Sequence, residues 1–213
     1  MTATPSPAME FPDGLRRRRS DFVSHLYRLN RAISSDNPHQ AADARRTMAR
    51  LRRCFASPRQ EADAYSTIFD FDPPETEQHI WLLTAGLFAL HPQPRADGTN
   101  GRPSVGTAMG RLAQDRGAST QRRFTQLVSV ETAALPYYLR QCIQLLATTD
   151  GALDYYRLLD ELVVLLADDP YGRNDDRRQR IRLTWARDYH RASRPGTSPD
   201  TVEHDPNSPD AIV

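Results

Sequence analysis

Apolar residues recur along most of this chain at spacings of three and four, the period of one helix face, and strict alternation of the strand type is nearly absent. Phe22, Val23, Leu26, Leu29 and Ile33 make the stripe of a first helix. Ala44, Met48, Leu51 and Phe55 make a second, opened by Asn37 and Pro38, residue types that favour a helix start. A third follows Ser57 and Pro58 and uses Ala62, Tyr65, Ile68 and Phe69. Asp72-Pro73-Pro74-Glu75 then breaks the chain. The run from Ile80 to Leu90 (IWLLTAGLFAL) is apolar nearly all round, which predicts a helix at the centre of a core, ended by His91-Pro92. Further helical stripes pass through Val105, Ala108, Met109 and Leu112, and then through Phe124, Leu127 and Val128. Leu135, Leu139, Cys142, Ile143 and Leu146 follow, with Pro136 expected at a helix start or a kink. The last two stripes are Tyr155, Leu158, Leu159, Leu162, Val163 and Leu166, and then Ile181, Trp185 and Tyr189.

The pattern predicts an all-α protein. Residues 92–103 (PQPRADGTNGRP) hold three Pro and two Gly, the clearest linker in the chain, and divide the helices into two small bundles. The predicted organisation is a disordered N-terminus over 1–14, an N-terminal bundle over 15–92, a linker over 93–103, a C-terminal bundle over 104–192 and a disordered tail over 193–213. The tail is rich in Pro, Ser and Asp and has almost nothing to bury.

Composition narrows the class. The chain has 213 residues, 38% hydrophobic and 26% charged, enough for a real core. Its longest apolar stretch is 11 residues, against the roughly 18 a membrane span needs, and Met1 to Gly14 contains no apolar leader. The expectation is a soluble cytoplasmic protein without a membrane partner. Cys54 and Cys142 stand 88 positions apart with no CxxC, which argues against a zinc knuckle or a disulfide scaffold.

A formal net charge of +1 hides a strong alternation. Residues 1–60 carry +7, 61–94 carry −6, 95–145 carry +4, 146–176 carry −6, 177–194 carry +6 and 195–213 carry −4. All 28 cations are Arg and none is Lys, so lysine chemistry is absent, and the guanidinium fork suits bidentate phosphate contacts. On the second helix Arg46, Arg50 and Arg53 project away from the apolar stripe, with Arg45 and Arg52 at its edge. On the last helix Arg180, Arg187, Arg191 and Arg194 stand opposite Ile181, Trp185 and Tyr189, with Leu183 as an apolar exception. Arg16 to Arg19 open the first helix, and Arg122 and Arg123 precede Phe124. A single charge run is usually a solvated helix face. Four runs, all arginine and with few acids at i+4, instead suggest a phosphate-binding surface that reads no base sequence.

Catalytic patterns are missing. The six histidines (His25, His39, His79, His91, His190 and His204) show no HExxH or HxH spacing. Asp168-Asp169 and Asp175-Asp176 bracket a turn, where helix capping explains them. There is no GxSxG, Walker A or GxGxxG. Cys54 and Cys142 sit on or beside apolar faces, as packing residues do. No catalytic residue, metal site or cofactor is expected.

The segment Ile80 to Pro92 is followed by Val105-Gly106, Met109-Gly110-Arg111-Leu112, Gln121-Arg122-Arg123-Phe124, Leu139-Arg140-Gln141 and Trp185-Ala186-Arg187-Asp188-Tyr189. In order and spacing this series resembles the CasB family, the small subunit of the type I-E CRISPR surveillance complex Cascade, over about Leu15 to Arg191. The resemblance implies a non-catalytic two-bundle protein that assembles as two copies along the crRNA-bearing backbone and beside the large subunit. It also implies a basic face that contacts target and displaced DNA strands, with crRNA as a further candidate, and stabilises the R-loop in antiviral defence. The nucleic-acid-binding residues implied by position are Arg52, Arg53, Arg111, Arg122, Arg123 and Arg140, and the helical stripe adds Arg180 and Arg187. The competing reading is a helical adaptor that binds only protein through its alternating charge blocks.

Overall fold

The computed structural model of the chain describes residues 12–95, 103–149, 151–168 and 174–194. The expected disorder of 1–11 and 195–213, and most of the linker, fall outside them. Ten α-helices follow one another, and no strand occurs among the described residues. They are α1 (Pro12–Ala32), α2 (Pro38–Arg53), α3 (Pro58–Ala64), α4 (Ser66–Phe69), α5 (Gln78–Leu90), α6 (Val105–Arg116), α7 (Ala118–Ser129), α8 (Leu135–Leu146), α9 (Tyr155–Leu166) and α10 (Asp175–Ala192). Single 3-10 turns, Glu75–Glu77 and Thr132–Ala134, lead into α5 and α8.

Local chemistry accounts for most of the boundaries. Asn37 caps α2 by accepting from the His39 and Gln40 backbone N–H groups, and Ser57 caps α3 by accepting from Gln60. Asp154 does the same for α9, and Pro136 sits in the first turn of α8. Two departures from the sequence reading have clear causes. α1 begins at Pro12, inside the stretch expected to be disordered, because Pro and Asp13 suit a first helical turn. The expected third helix is two, α3 and α4, since the chain bends at Tyr65. That bend turns Thr67 and Ile68 inward and leaves Ala62 and Phe69 exposed, although both were placed on the core stripe.

α5 is the centre of the molecule. Every residue from Ile80 to Ala89 is buried, so no face of this helix meets water. It packs against α2 on one side and against α8 and α9 on others, and α9 also lies against α1. The buried side chains of both halves form one contiguous core that includes Phe22, Met48, Trp81, Phe88, Met109, Tyr155 and Trp185. Burying a large apolar side chain contributes on the order of 1.5 to 3 kcal/mol, so the all-round burial of α5 is a large source of stability.

Two charged networks brace this core. Glu77, at the start of α5, accepts from Arg19 Nε (3.0 Å) and from Trp81 Nε1 (3.0 Å), and Arg19 Nη1 also reaches Asp160 of α9 at 3.2 Å. Glu161 accepts from Arg157 Nε and Trp185 Nε1, both at 2.7 Å, tying α9 to α10. Burial pushes the Glu161 carboxyl up in pKa, and the Arg157 and Trp185 hydrogen bonds oppose that shift without cancelling it.

The closest helix approach joins α6 and α10. A Cβ on Gly106 would fall on the Trp185 carbonyl, and one on Gly110 would fall on that of Tyr189. Glycine is required there because the two backbones touch. At the α6–α7 joint, Gly117 has φ 61°, a left-handed turn that glycine adopts without strain.

Candidate nucleic-acid interface

By what their guanidinium touches, two sets of arginines stand apart, while others, such as the exposed Arg16, belong to neither. Arg18 and Arg19, half of the basic run that opens α1, are drawn inward to Asp72 and to Glu77 with Asp160. Arg182 Nη1 donates to the Val128 carbonyl at 2.9 Å, and Arg178 spans Asp175 and the Ala167 carbonyl. Arg157 bridges Glu161 and Asp188. Arg46, read from the sequence as unneutralised, pairs with Asp43 three positions before it at 2.9 Å. Apart from Arg46, which is exposed and paired only through Nη1, these cations belong to the fold.

The eight arginines predicted as binding residues form the second group. None of them makes an ion pair among the described residues, and all but the half-buried Arg140 are exposed. Arg52 donates from Nε to the Ala89 carbonyl at 3.1 Å, fixing its stem on the end of α5 while its other donors stay available. Arg53 and Arg180 each donate from Nε to a carbonyl one turn back, those of Ala49 and Asp176. Arg140 lies over the Phe55 ring at 5.3 Å, a cation–π contact that brings α8 to the end of α2. The fold therefore gathers Arg52, Arg53 and Arg140 at one corner. Arg111, Arg122, Arg123, Arg180 and Arg187 are spread over α6, α7 and α10, which pack on one another.

One basic feature was not legible in the sequence. A cleft of about 460 Å³ between α2 and α3 is lined by Arg46, Arg50, Arg53 and Arg59, with Asp63 as the one carboxylate among its lining residues. Arg59 is absent from the sequence-derived set because it lies on another helix. The Ser57-Pro58 cap folds α3 back and lays Arg59 on the arginine face of α2. A larger groove of about 1230 Å³, lined by Phe55, Leu82, Leu83, Pro136 and Leu166 among others, is largely apolar and unsuited to phosphate.

Burial pushes both thiols, Cys54 and Cys142, up to about 12. Burial also lowers the pKa of His91, whose Nδ1 lies 3.3 Å from the Tyr155 hydroxyl. Among the described residues no group of three or more His, Cys, Asp or Glu is placed to hold a metal ion, and no helix is long and apolar enough to cross a membrane.

Comparison with known proteins places this scaffold. Residues 47–190 match the family CRISPR-associated protein Cse2. The chain belongs to that family. The Cse2 protein of Thermus thermophilus is 27% identical over 126 residues, 58% of this chain, and the match spans 62% of that relative, less than two thirds of its length. The crystal structure of CasB from Thermobifida fusca is 26% identical, with a TM-score of 0.58 over 81% of this chain and 97% of that one. A chain of a CRISPR RNA-guided surveillance complex gives a TM-score of 0.60 over 84% of this chain and 95% of its own, at 18% identity, a likeness of fold. The Cse2 match covers α3 to α9 entire, the C-terminal part of α2 from residue 47 and most of α10, and these segments hold all eight predicted arginines.

Proposed function

We propose that this Cse2-family protein is a non-catalytic small subunit of a type I-E Cascade complex, holding target and displaced DNA strands through exposed arginines and so stabilising the R-loop. The observation that carries the reading is that none of the eight arginines makes an ion pair among the described residues and seven of them are exposed, whereas Arg18, Arg19, Arg157 and Arg178 are engaged by carboxylates of the fold. Exchanging a DNA duplex for an RNA–DNA heteroduplex is nearly balanced in free energy, so phosphate contacts of modest strength are enough to tip it. Each contact releases condensed counterions, and the affinity falls steeply with salt. The proposed partners are the backbone and large subunits, a second copy of the chain, both DNA strands and crRNA, in the cytoplasm, with the helices before and after residues 93–103 acting as two bundles.

The adaptor reading has its own support. Tyr137 and Leu183 are large apolar side chains 60% and 52% exposed, and Leu183 interrupts the arginine stripe of α10. One experiment separates the two. Binding of fluorescent single- and double-stranded DNA is titrated against salt for the wild type and for the variant carrying Arg52→Glu, Arg53→Glu, Arg122→Glu and Arg123→Glu, and assembly with the other subunits is followed in parallel. Lost DNA binding with intact assembly supports the proposal. Unchanged DNA binding by the assembled complex would leave the adaptor reading standing instead.

A further inference from the structure

The four-arginine cleft stands beside an exposed aromatic ring. Arg50 Nη1 lies 3.3 Å from Ser66 Oγ, the first residue of α4. Ser66 and Phe69 are three positions apart on that helix and share a face, which puts their Cβ atoms about 5 to 6 Å apart. Phe69 is 52% exposed, and its inner side is stacked on Tyr65 at 5.4 Å with ring planes 13° apart. Its position is therefore set by an aromatic neighbour while part of the ring meets solvent. The cleft arginines are likewise held by single contacts. Arg46 is held by Asp43 and Arg53 by the Ala49 carbonyl, and most of their donors remain unspent.

We propose that this corner, formed by α2, α3 and α4, seats one single nucleic-acid strand, with a phosphate in the Arg46–Arg50–Arg53–Arg59 cleft and a neighbouring base stacked on Phe69. The inference rests on the nucleic-acid reading above and adds strand selectivity to it. Phosphate contacts alone do not separate a duplex from a single strand strongly. An exposed aromatic does, because base faces are free in a single strand and occupied in a duplex, whatever the sequence. Carboxylates flank the seat in a compatible way. Asp63 lines the cleft and Asp43 pairs with Arg46, which leaves Arg50, Arg53 and Arg59 without an ion pair among the described residues. Phe69 lies on no sequence-derived list of binding residues, since the helical stripe assigned it to the core.

The test uses the purified full chain, an oligonucleotide carrying 2-aminopurine, and a blunt duplex of equal length. Three variants are compared with wild type: Phe69→Leu, the pair Arg50→Ala and Arg59→Ala, and the pair Arg122→Ala and Arg123→Ala. The expected result is quenching of 2-aminopurine by wild type and single-strand affinity on the order of tenfold lower for Phe69→Leu, with duplex affinity unchanged. Leucine keeps an apolar side chain for protein docking but has no ring for a base to stack on. The Arg50/Arg59 pair is expected to reduce the single-strand salt slope by up to about 0.7, the value for the one phosphate the cleft holds. If Phe69→Leu leaves both quenching and single-strand affinity unchanged, or if only the Arg122/Arg123 pair weakens binding, the seat is overturned while the nucleic-acid reading survives. If wild type binds neither DNA, alone or in the assembled complex, that reading fails and the seat with it.

Discussion

Replacing Glu77 by Gln asks whether Arg19 is part of the fold or part of a basic surface. Glu77 is buried at 8% exposure and accepts from Arg19 Nε and Trp81 Nε1, both at 3.0 Å. Burial works to lower the Arg19 pKa, and the hydrogen bonds and charges of Glu77 and Asp160 more than reverse it, leaving it raised. Glutamine can keep one oxygen as the acceptor for Trp81 Nε1, and it removes the charge and replaces the oxygen that accepts from Arg19 Nη2 by an amide NH2. Deleting one partner of a buried ion pair costs about 3 to 5 kcal/mol. The Arg19 side chain keeps 18% exposure and retains Asp160, itself 53% exposed, so solvent and the remaining partner reduce the expected loss to about 2 kcal/mol. In a protein of this size that lowers Tm by about 4 to 8 °C. Circular dichroism during thermal and urea unfolding reads it. The control is Arg16→Gln, whose exposed side chain makes no ion pair among the described residues and should cost under about 0.5 kcal/mol. Adding Arg19→Met to Glu77→Gln should recover much of the loss, since no unpaired charge is left inside and the amide oxygen still accepts from Trp81 Nε1. A Glu77→Gln protein as stable as wild type, or an equal cost for Arg16→Gln, would refute the division of the arginines into internal and external groups.

Other expectations follow from the same contacts. Gly106→Val should destabilise by about 3 kcal/mol, because its Cβ falls on the Trp185 carbonyl and α10 must move away from α6; limited proteolysis that opens α10 first would report it. Burial holds the folded His91 pKa below 6.5, so the unfolded chain takes up a proton that the folded one resists, and stability is lost as pH falls below about 6.5. His25 acts with the same sign through burial and Arg28, while the raised Glu161 pKa acts oppositely, favouring the fold below 4.5 and losing that contribution as pH rises through its folded value. The slope assigned to His91 is therefore the difference in urea-unfolding stability between wild type and His91→Gln from pH 7.5 to 5.5. An equal slope in both would reject the assignment. Cys54 and Cys142, pushed up to about 12, should resist a thiol-specific disulfide reagent at pH 8 in the native protein and react fully in denaturant; fast native labelling would contradict their burial.

What was legible in the sequence was whatever depends on near neighbours. The all-round apolar run of α5 predicted a central helix because no arrangement can hide ten such residues at an edge. Asn37, Ser57 and Pro136 marked helix starts because capping is settled within three residues. Gly106 and Gly110 entered the reading as elements of a family resemblance, and their physical reason appeared only with α10 laid against them. The bend at Tyr65 escaped because a helical wheel assumes one continuous phase. Ala62, Tyr65, Ile68 and Phe69 line up on a straight helix; Ile68 is buried as that stripe requires, but burying Thr67 beside it resets the phase and turns Phe69 outward.

The arginines mark the limit most clearly. The pairs of Arg17 with Asp21, Arg46 with Asp43, Arg157 with Glu161 and Arg178 with Asp175 lie within four positions, inside the reach of local rules, although a search at i+4 alone passes over Asp43 and Asp175. Such rules do not find Arg19 with Glu77 or Asp160, partners 58 and 141 positions away, nor Arg182 on a carbonyl of another helix. The block 177–194 therefore looks more basic along the chain than it is at the surface, since Arg178 and Arg182 spend their donors on helix-end carbonyls. The same contacts supply a second reason for a chain that uses Arg and no Lys. A planar guanidinium can satisfy a carboxylate and a carbonyl together and keep its charge when half-buried, which a compact ammonium does poorly. Exclusive arginine is thus as well suited to bracing helices as to gripping phosphates. The chain's cation content cannot by itself argue for nucleic acid; that argument belongs to the arginines for which the fold provides no acid.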